Sequence, residues 1–138
     1  MHIQQNALQL MFKESFSTFS STRLTWKGNI TPSPLSVTYT LKLVYKLGDR
    51  PKIFVLHPKL GIPGGSKLPH VYSEEKKQLC LYYPDGKEWN NKKLIAKTII
   101  PWSAEWLFHY EIWAVTGKWN GGGIHPEDKI MESKEENP

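Results

Sequence analysis

Cys80 is the one cysteine in a chain of 138 residues, and it sits between leucines in Leu79-Cys80-Leu81. His70 stands ten residues earlier, in Leu68-Pro69-His70-Val71-Tyr72, and a charged run, 73–78, separates the two. That run is too polar and too short to be a core element. It predicts a flap that folds back and leaves the histidine near the cysteine. A cysteine thiolate is a nucleophile able to form a covalent intermediate. A free thiol has a pKa of about 8.5, so a nearby positive charge or an amide-rich turn helps form the thiolate. Lys76, Lys77 and His70 are the local candidates for that charge. A plainer reading stands beside each of them. A cysteine between leucines is commonly a small buried hydrophobe, two lysines in a polar run are commonly solvated, and His70 suits pinning the flap better than moving a proton.

The elements that would position these groups follow from periodicity. Residues 2–14 predict a short amphipathic helix with Ile3, Ala7, Leu10 and Met11 on one face and Leu8 and Phe12 beside it. The Ser/Thr-rich run 15–22 is read as its break. A first strand then puts Leu24 and Trp26 on one face and Arg23, Thr25 and Lys27 on the other. Gly28-Asn29 is read as a turn, and Pro32 and Pro34 exclude a central strand after Ile30. The clearest strand is 37–47, where Val37, Tyr39, Leu41, Leu43, Tyr45 and Leu47 alternate with Thr38, Thr40, Lys42 and Lys46, and only Val44 breaks the pattern. Gly48-Asp49-Arg50-Pro51 turns into 52–56, whose Ile53, Phe54, Val55 and Leu56 predict a strand covered on both faces. Three strands joined by short turns form an antiparallel meander. Regular structure stops over 57–69, which holds three prolines and three glycines.

After the cysteine, Asp85-Gly86 is a turn, 88–93 reads as polar and exposed, and 94–100 is either extended or briefly helical. Pro101-Trp102-Ser103 opens the last major element, with Ser103 as N-cap and Glu105 in the first turn. Trp102, Trp106, Leu107, Tyr110, Trp113 and Ala114 form a helical stripe, and Gly117 supplies the stop. A chain of this length forms one domain, 1–138, with a core of about 1–118 and with 119–138 as loop and charged tail. The formal charge of +5 and pI near 9.3 suggest an acidic partner or simple solubility. A single cysteine fits a reducing compartment. With neither a signal sequence nor an apolar run long enough for a membrane span, the expected location is cytoplasmic and no membrane partner is expected.

The His70–Cys80 spacing and the flanking leucines resemble the active-site segment of ubiquitin-conjugating enzymes, which carry His-Pro-Asn upstream of a cysteine followed by leucine. Val71 stands at the family's proline and Tyr72 at its asparagine, the residue credited with helping the oxyanion. The histidine and the cysteine carry over and the asparagine does not. Trp26-Lys27-Gly28-Asn29-Ile30 is similar to the family's first strand and turn, and Pro101-Trp102-Ser103 to its entry into the helix after the cysteine. Leu-Pro-His-Val-Tyr-Ser, Leu-Cys-Leu-Tyr-Tyr-Pro and the segment 106–119 resemble a subgroup, the short prokaryotic ubiquitin-conjugating-like proteins of cyclic-oligonucleotide-based antiphage signalling (CBASS) operons. The resemblance covers roughly residues 1–118.

That resemblance implies an α+β, ubiquitin-conjugating-like fold: N-terminal helix, antiparallel β-meander, irregular active-site flap, and a helix packed on the sheet. It implies Cys80 as nucleophile, His70 as flap support and Tyr72 as a candidate oxyanion donor. The carrier would be the C-terminus of a cyclic-oligonucleotide synthase (CD-NTase) held in a stable complex, and the acceptor an amine on a protein or small molecule. No cofactor and no metal is expected. The sequence holds no recognisable nucleotide site, so the carboxyl would be activated elsewhere. Two readings of other classes remain open: a non-catalytic scaffold for the synthase, and a basic, aromatic nucleic-acid binder. Nucleic acid is the weaker, because a tryptophan stripe at helical spacing is usually core. The three glycines of 121–123 lack a phosphate-loop frame. Scattered histidines with one cysteine make neither a zinc site nor a protease triad.

Overall fold

A computed structural model of the protein describes residues 1–60, 71–73, 78–79, 81 and 89–119, with the side chains of 71–73 left aside. The elements run α1 (His2–Met11), β1 (Phe16–Phe19), β2 (Arg23–Ile30), β3 (Tyr39–Lys46), β4 (Lys52–His57), β5 (Val71–Ser73), β6 (Gln78–Leu79), a 3-10 turn (Ile95–Lys97) and α2 (Ile99–Thr116). The six strands form one sheet in the order β1-β2-β3-β4-β6-β5, and every pairing is antiparallel. The architecture is α+β.

Alternation on β3 produces the centre of the core. Tyr39, Leu41, Leu43 and Tyr45 are buried while Lys42 and Lys46 are exposed. Leu24 and Trp26 of β2 and Ile53 and Val55 of β4 join them on the same face. Full burial of side chains of this size contributes about 1.5–3 kcal/mol each, so this face fixes the register of the meander. Trp106, Leu107, Tyr110 and Trp113 of α2 belong to the same core. Burial of Tyr45 raises the pKa of its hydroxyl, and its ring meets the buried Trp89 edge-on at 5.6 Å.

Several sequence expectations are corrected. The Ser/Thr run contains a strand, β1, paired with β2 through Ser17↔Trp26 and Phe19↔Leu24. Consequently 23–30 is the second strand of the sheet. Gly28 and Asn29 lie within β2 and make no turn. A Cβ on Gly28 would collide with the Trp26 indole and touch Ser15, so glycine serves here as space for a neighbouring ring. On α1 most of the expected apolar face points outward: Ile3 and Leu10 are each 74% exposed, whereas Ala7 packs against the core and Gln4 and Leu8 are buried. On β4, Ile53 and Val55 are buried, Phe54 is half-buried and Leu56 exposed, so the strand is not covered on both faces. In 88–93, expected to be exposed, Trp89 is buried and gives its Nε1–H to Thr98 Oγ1 at 3.0 Å.

Helix α2 begins at Ile99, ahead of the expected Pro101. Pro101 falls in the first turn, where the missing N–H costs no helical hydrogen bond. Ser103 is not the N-cap. It is buried inside the helix, and its hydroxyl donates to Ile99 O at 2.6 Å. The stop is as expected: Gly117 has φ +77° and its N–H donates to Trp113 O at 2.8 Å.

Candidate functional site

The described residues nearest the sequence motif are the short strands β5 and β6. Gln78 of β6 is in register with Phe54 of β4, and Leu79 is buried. Their antiparallel partner is β5, with Val71↔Leu79 and Ser73↔Gln78 and an irregularity between them. Leu81 is half-buried and packs against the core. Leu79 and Leu81 thus bracket position 80 with apolar anchors, as their types suggest.

Cys80, His70, Lys76 and Lys77 lie outside the described residues. Tyr72 lies on β5, and only its backbone is described. The structure brings together the immediate sequence neighbours of the two motif residues: Val71, which follows His70, pairs with Leu79, which precedes Cys80.

The tryptophan stripe of α2 is core. Trp106, Tyr110 and Trp113 are nearly fully buried, and Trp106 stacks on Tyr110 at 5.9 Å with 7° between ring planes. Faces so covered are not free for base stacking. The half-buried Trp119 tilts against Trp106 at 5.2 Å and so continues this aromatic layer past the helix end.

Two polar groups escaped the sequence reading. Glu111 on α2 accepts hydrogen bonds from Ser36 Oγ at 2.5 Å and from Tyr39 OH at 2.9 Å. Burial, and then the bond to Glu111 and its charge, push the Tyr39 hydroxyl well above its ordinary pKa. This pair ties the loop after β2 and the start of β3 to the helix. The only available signal was an acid, one of two in α2 with Glu105, set among apolar residues. Gln4 is the second: its Nε2–H donates to Lys93 O and its Oε1 accepts from the buried Ile95 N–H, both at 2.9 Å. The signal there was a polar residue with the apolar Ala7 and Leu8 one helical turn on, at i+3 and i+4. Among the described residues no cluster of three His, Cys, Asp or Glu side chains is arranged to hold a metal.

The family model described as type II CBASS E2 protein matches residues 4–126. The chain belongs to that family, and with it to CBASS antiphage defence. The match takes in Cys80 and the described residues from Gln4 onward. No curated protein matches the chain. Among the described residues no helix is long and apolar enough to cross a membrane.

Proposed function

We propose that this chain is an E2-like transferase that carries the C-terminus of a CD-NTase as a thioester on Cys80. The Cys80 thiolate attacks the activated terminal carbonyl, expels the activating group and forms a C–S bond. An acceptor amine then attacks that carbonyl. A C–N bond forms, the C–S bond breaks, the thiolate is regenerated and the amine's proton leaves to solvent. The chain acts as a single cytoplasmic domain of ubiquitin-conjugating type, in a stable complex with the synthase, and activation of the carboxyl happens elsewhere.

The observation that carries the reading is the Val71↔Leu79 pairing. It joins the segments that lead out of His70 and into Cys80, and the Phe54↔Gln78 pairing ties the second of these to the sheet. Family membership supports the reaction class. In this proposal His70 supports the flap, and Tyr72, at the place of the usual asparagine, offers its hydroxyl to the oxyanion.

The test is intact mass and a non-reducing gel of the protein with its neighbouring synthase and nucleotide. The expected result is a thiol-sensitive adduct of the two chains that becomes thiol-resistant in Cys80→Ser and is absent in Cys80→Ala. An adduct that persists unchanged in Cys80→Ala overturns the proposal. A tight complex without any adduct assigns the chain to the scaffold reading.

A further inference from the structure

The sheet has a second face, turned away from the core, on which rings and cations share a row. Phe16 of β1 stands opposite Lys27 of β2, Lys27 opposite Lys42 of β3, and Lys42 opposite Phe54 of β4. Phe16 is 69% exposed, Phe54 is half-buried, and both lysines are exposed. Neighbouring strands lie about 4.8 Å apart, so the backbone positions of the two rings are roughly 14 Å apart, with the two lysines between them. The row on one side, Asn29, Thr40 and His57, is polar. On the other side stand Thr18, Thr25, Val44 and Lys52, and beyond them the pair Arg23↔Lys46. Strands β1 to β4 contribute no Asp or Glu to this face. Among the described residues no ion pair joins Arg23, Lys27, Lys42, Lys46 or Lys52 to a carboxylate. Like charges directly opposite one another destabilise a sheet, so the pairs Arg23↔Lys46 and Lys27↔Lys42 favour an anionic ligand.

We propose that this face binds single-stranded nucleic acid, with bases stacked on Phe16 and Phe54 and phosphates held by Lys27, Lys42, Arg23 and Lys46. The rings decide between the anionic polymers. A run of carboxylates would engage the cations alone and leave two apolar rings beside them unmatched. A single strand engages both, since every base has a flat face for a ring and every nucleotide a phosphate for a cation. Rings set among cations on an open antiparallel sheet are the means by which sheet surfaces hold unpaired bases. A duplex is a poorer fit, because its bases already stack on one another and leave no face for Phe16 or Phe54. Contacts to ring faces and phosphates carry little base discrimination, so sequence tolerance is expected. The aromatic stripe that helical spacing offers for stacking lies buried on α2. The exposed rings come instead from the Ser/Thr run and from β4, and only the strand register places them in one row. Nothing in this proposal uses Cys80, so it stands or falls apart from the transferase reading.

The experiment measures binding of the full chain to a fluorescent oligothymidylate of about 12 nucleotides. The parent chain is expected to bind, with affinity that falls as salt rises. Phe16→Leu/Phe54→Leu should weaken binding by about tenfold or more. Phe16→Leu alone, at an exposed position that the fold does not depend on, should still weaken it by about fivefold. Lys27→Gln/Lys42→Gln should make the slope of log affinity against log salt shallower by about 1.4. Lys92→Gln/Lys97→Gln removes the same charge from exposed positions ahead of α2 and should keep the parent slope. Absence of binding by the parent chain, parent-like affinity in both ring variants, or an equal change of slope in both lysine variants overturns the proposal. So does duplex DNA of the same length that binds as tightly as the single strand. Poly-L-glutamate that binds as tightly per charge, with no loss in the ring variants, also overturns it and assigns the face to an acidic polypeptide.

Discussion

Gln4 and Ile95 meet 91 positions apart in sequence, where the Gln4 carboxamide oxygen accepts the buried Ile95 N–H at 2.9 Å. The same carboxamide donates to Lys93 O, so one side chain on α1 satisfies two backbone groups of the segment that leads into α2. Gln4→Ala is expected to leave that N–H unpaired, at a cost of about 1–3 kcal/mol. Urea unfolding of the variant measures it. Gln4→Leu should be no better, since the loss lies in the unpaired backbone groups and not in side-chain volume.

Tyr39 makes stability depend on alkaline pH. Its folded pKa is raised by burial and by Glu111, above an unfolded value of about 10. The folded state therefore holds the phenolic proton more tightly than the unfolded chain. The contribution is intact below the unfolded pKa, and stability falls as pH rises past it towards the folded pKa. Tyr39→Phe should lessen that alkaline decline while lowering stability near neutrality by about 1 kcal/mol, through the lost hydrogen bond to Glu111. Unfolding midpoints from pH 7 to pH 11 test both the slope and the offset.

Gly28→Ala tests whether the glycine is there for packing. The new methyl meets the Trp26 ring and Ser15, and overpacking of this kind costs about 1–3 kcal/mol. The cost should shrink when Trp26 is first made smaller, as in Trp26→Leu. A double-mutant cycle on thermal unfolding would show that coupling. Strict additivity of the two changes would mean that the ring is not what Gly28 accommodates.

For the proposed chemistry, the Tyr72 hydroxyl is the discriminating atom. Tyr72→Phe keeps the ring and removes the donor. If the hydroxyl serves the oxyanion, acyl transfer should slow on the order of a hundredfold. The melting temperature and the maleimide reactivity of Cys80 should then stay at parent values. A ring that only packs would give a parent-like rate.

What could be read from the sequence depended on whether one interaction dominated locally. On β3 the alternation, broken only at Val44, left a single choice of face, and the burial of Tyr39, Leu41, Leu43 and Tyr45 follows it. Gly117 ended α2 as expected because little else tolerates a left-handed φ at a helix end. Where local chemistry and tertiary contact competed, the tertiary contact won. Phe16–Phe19 became a strand because β2 offered an edge, although its serines and threonine suggested a loop. Gln4 turned inward because it had two backbone partners there. Ser103, a good cap by type, found Ile99 O within the helix instead. At the candidate site, the neighbours Leu79 and Leu81 behave as their types predict. Cys80 and His70 rest on the motif and on family membership.

The ordering of the strands carries one more consequence. The sheet is closed at one end by the four residues of β1 and at the other by the three residues of β5, while its longest strands, β2 and β3, lie inside. Among the described residues each outermost strand is only a short template for a neighbouring molecule that would add a strand. The long inner strands are thereby kept from pairing edge to edge with a second molecule.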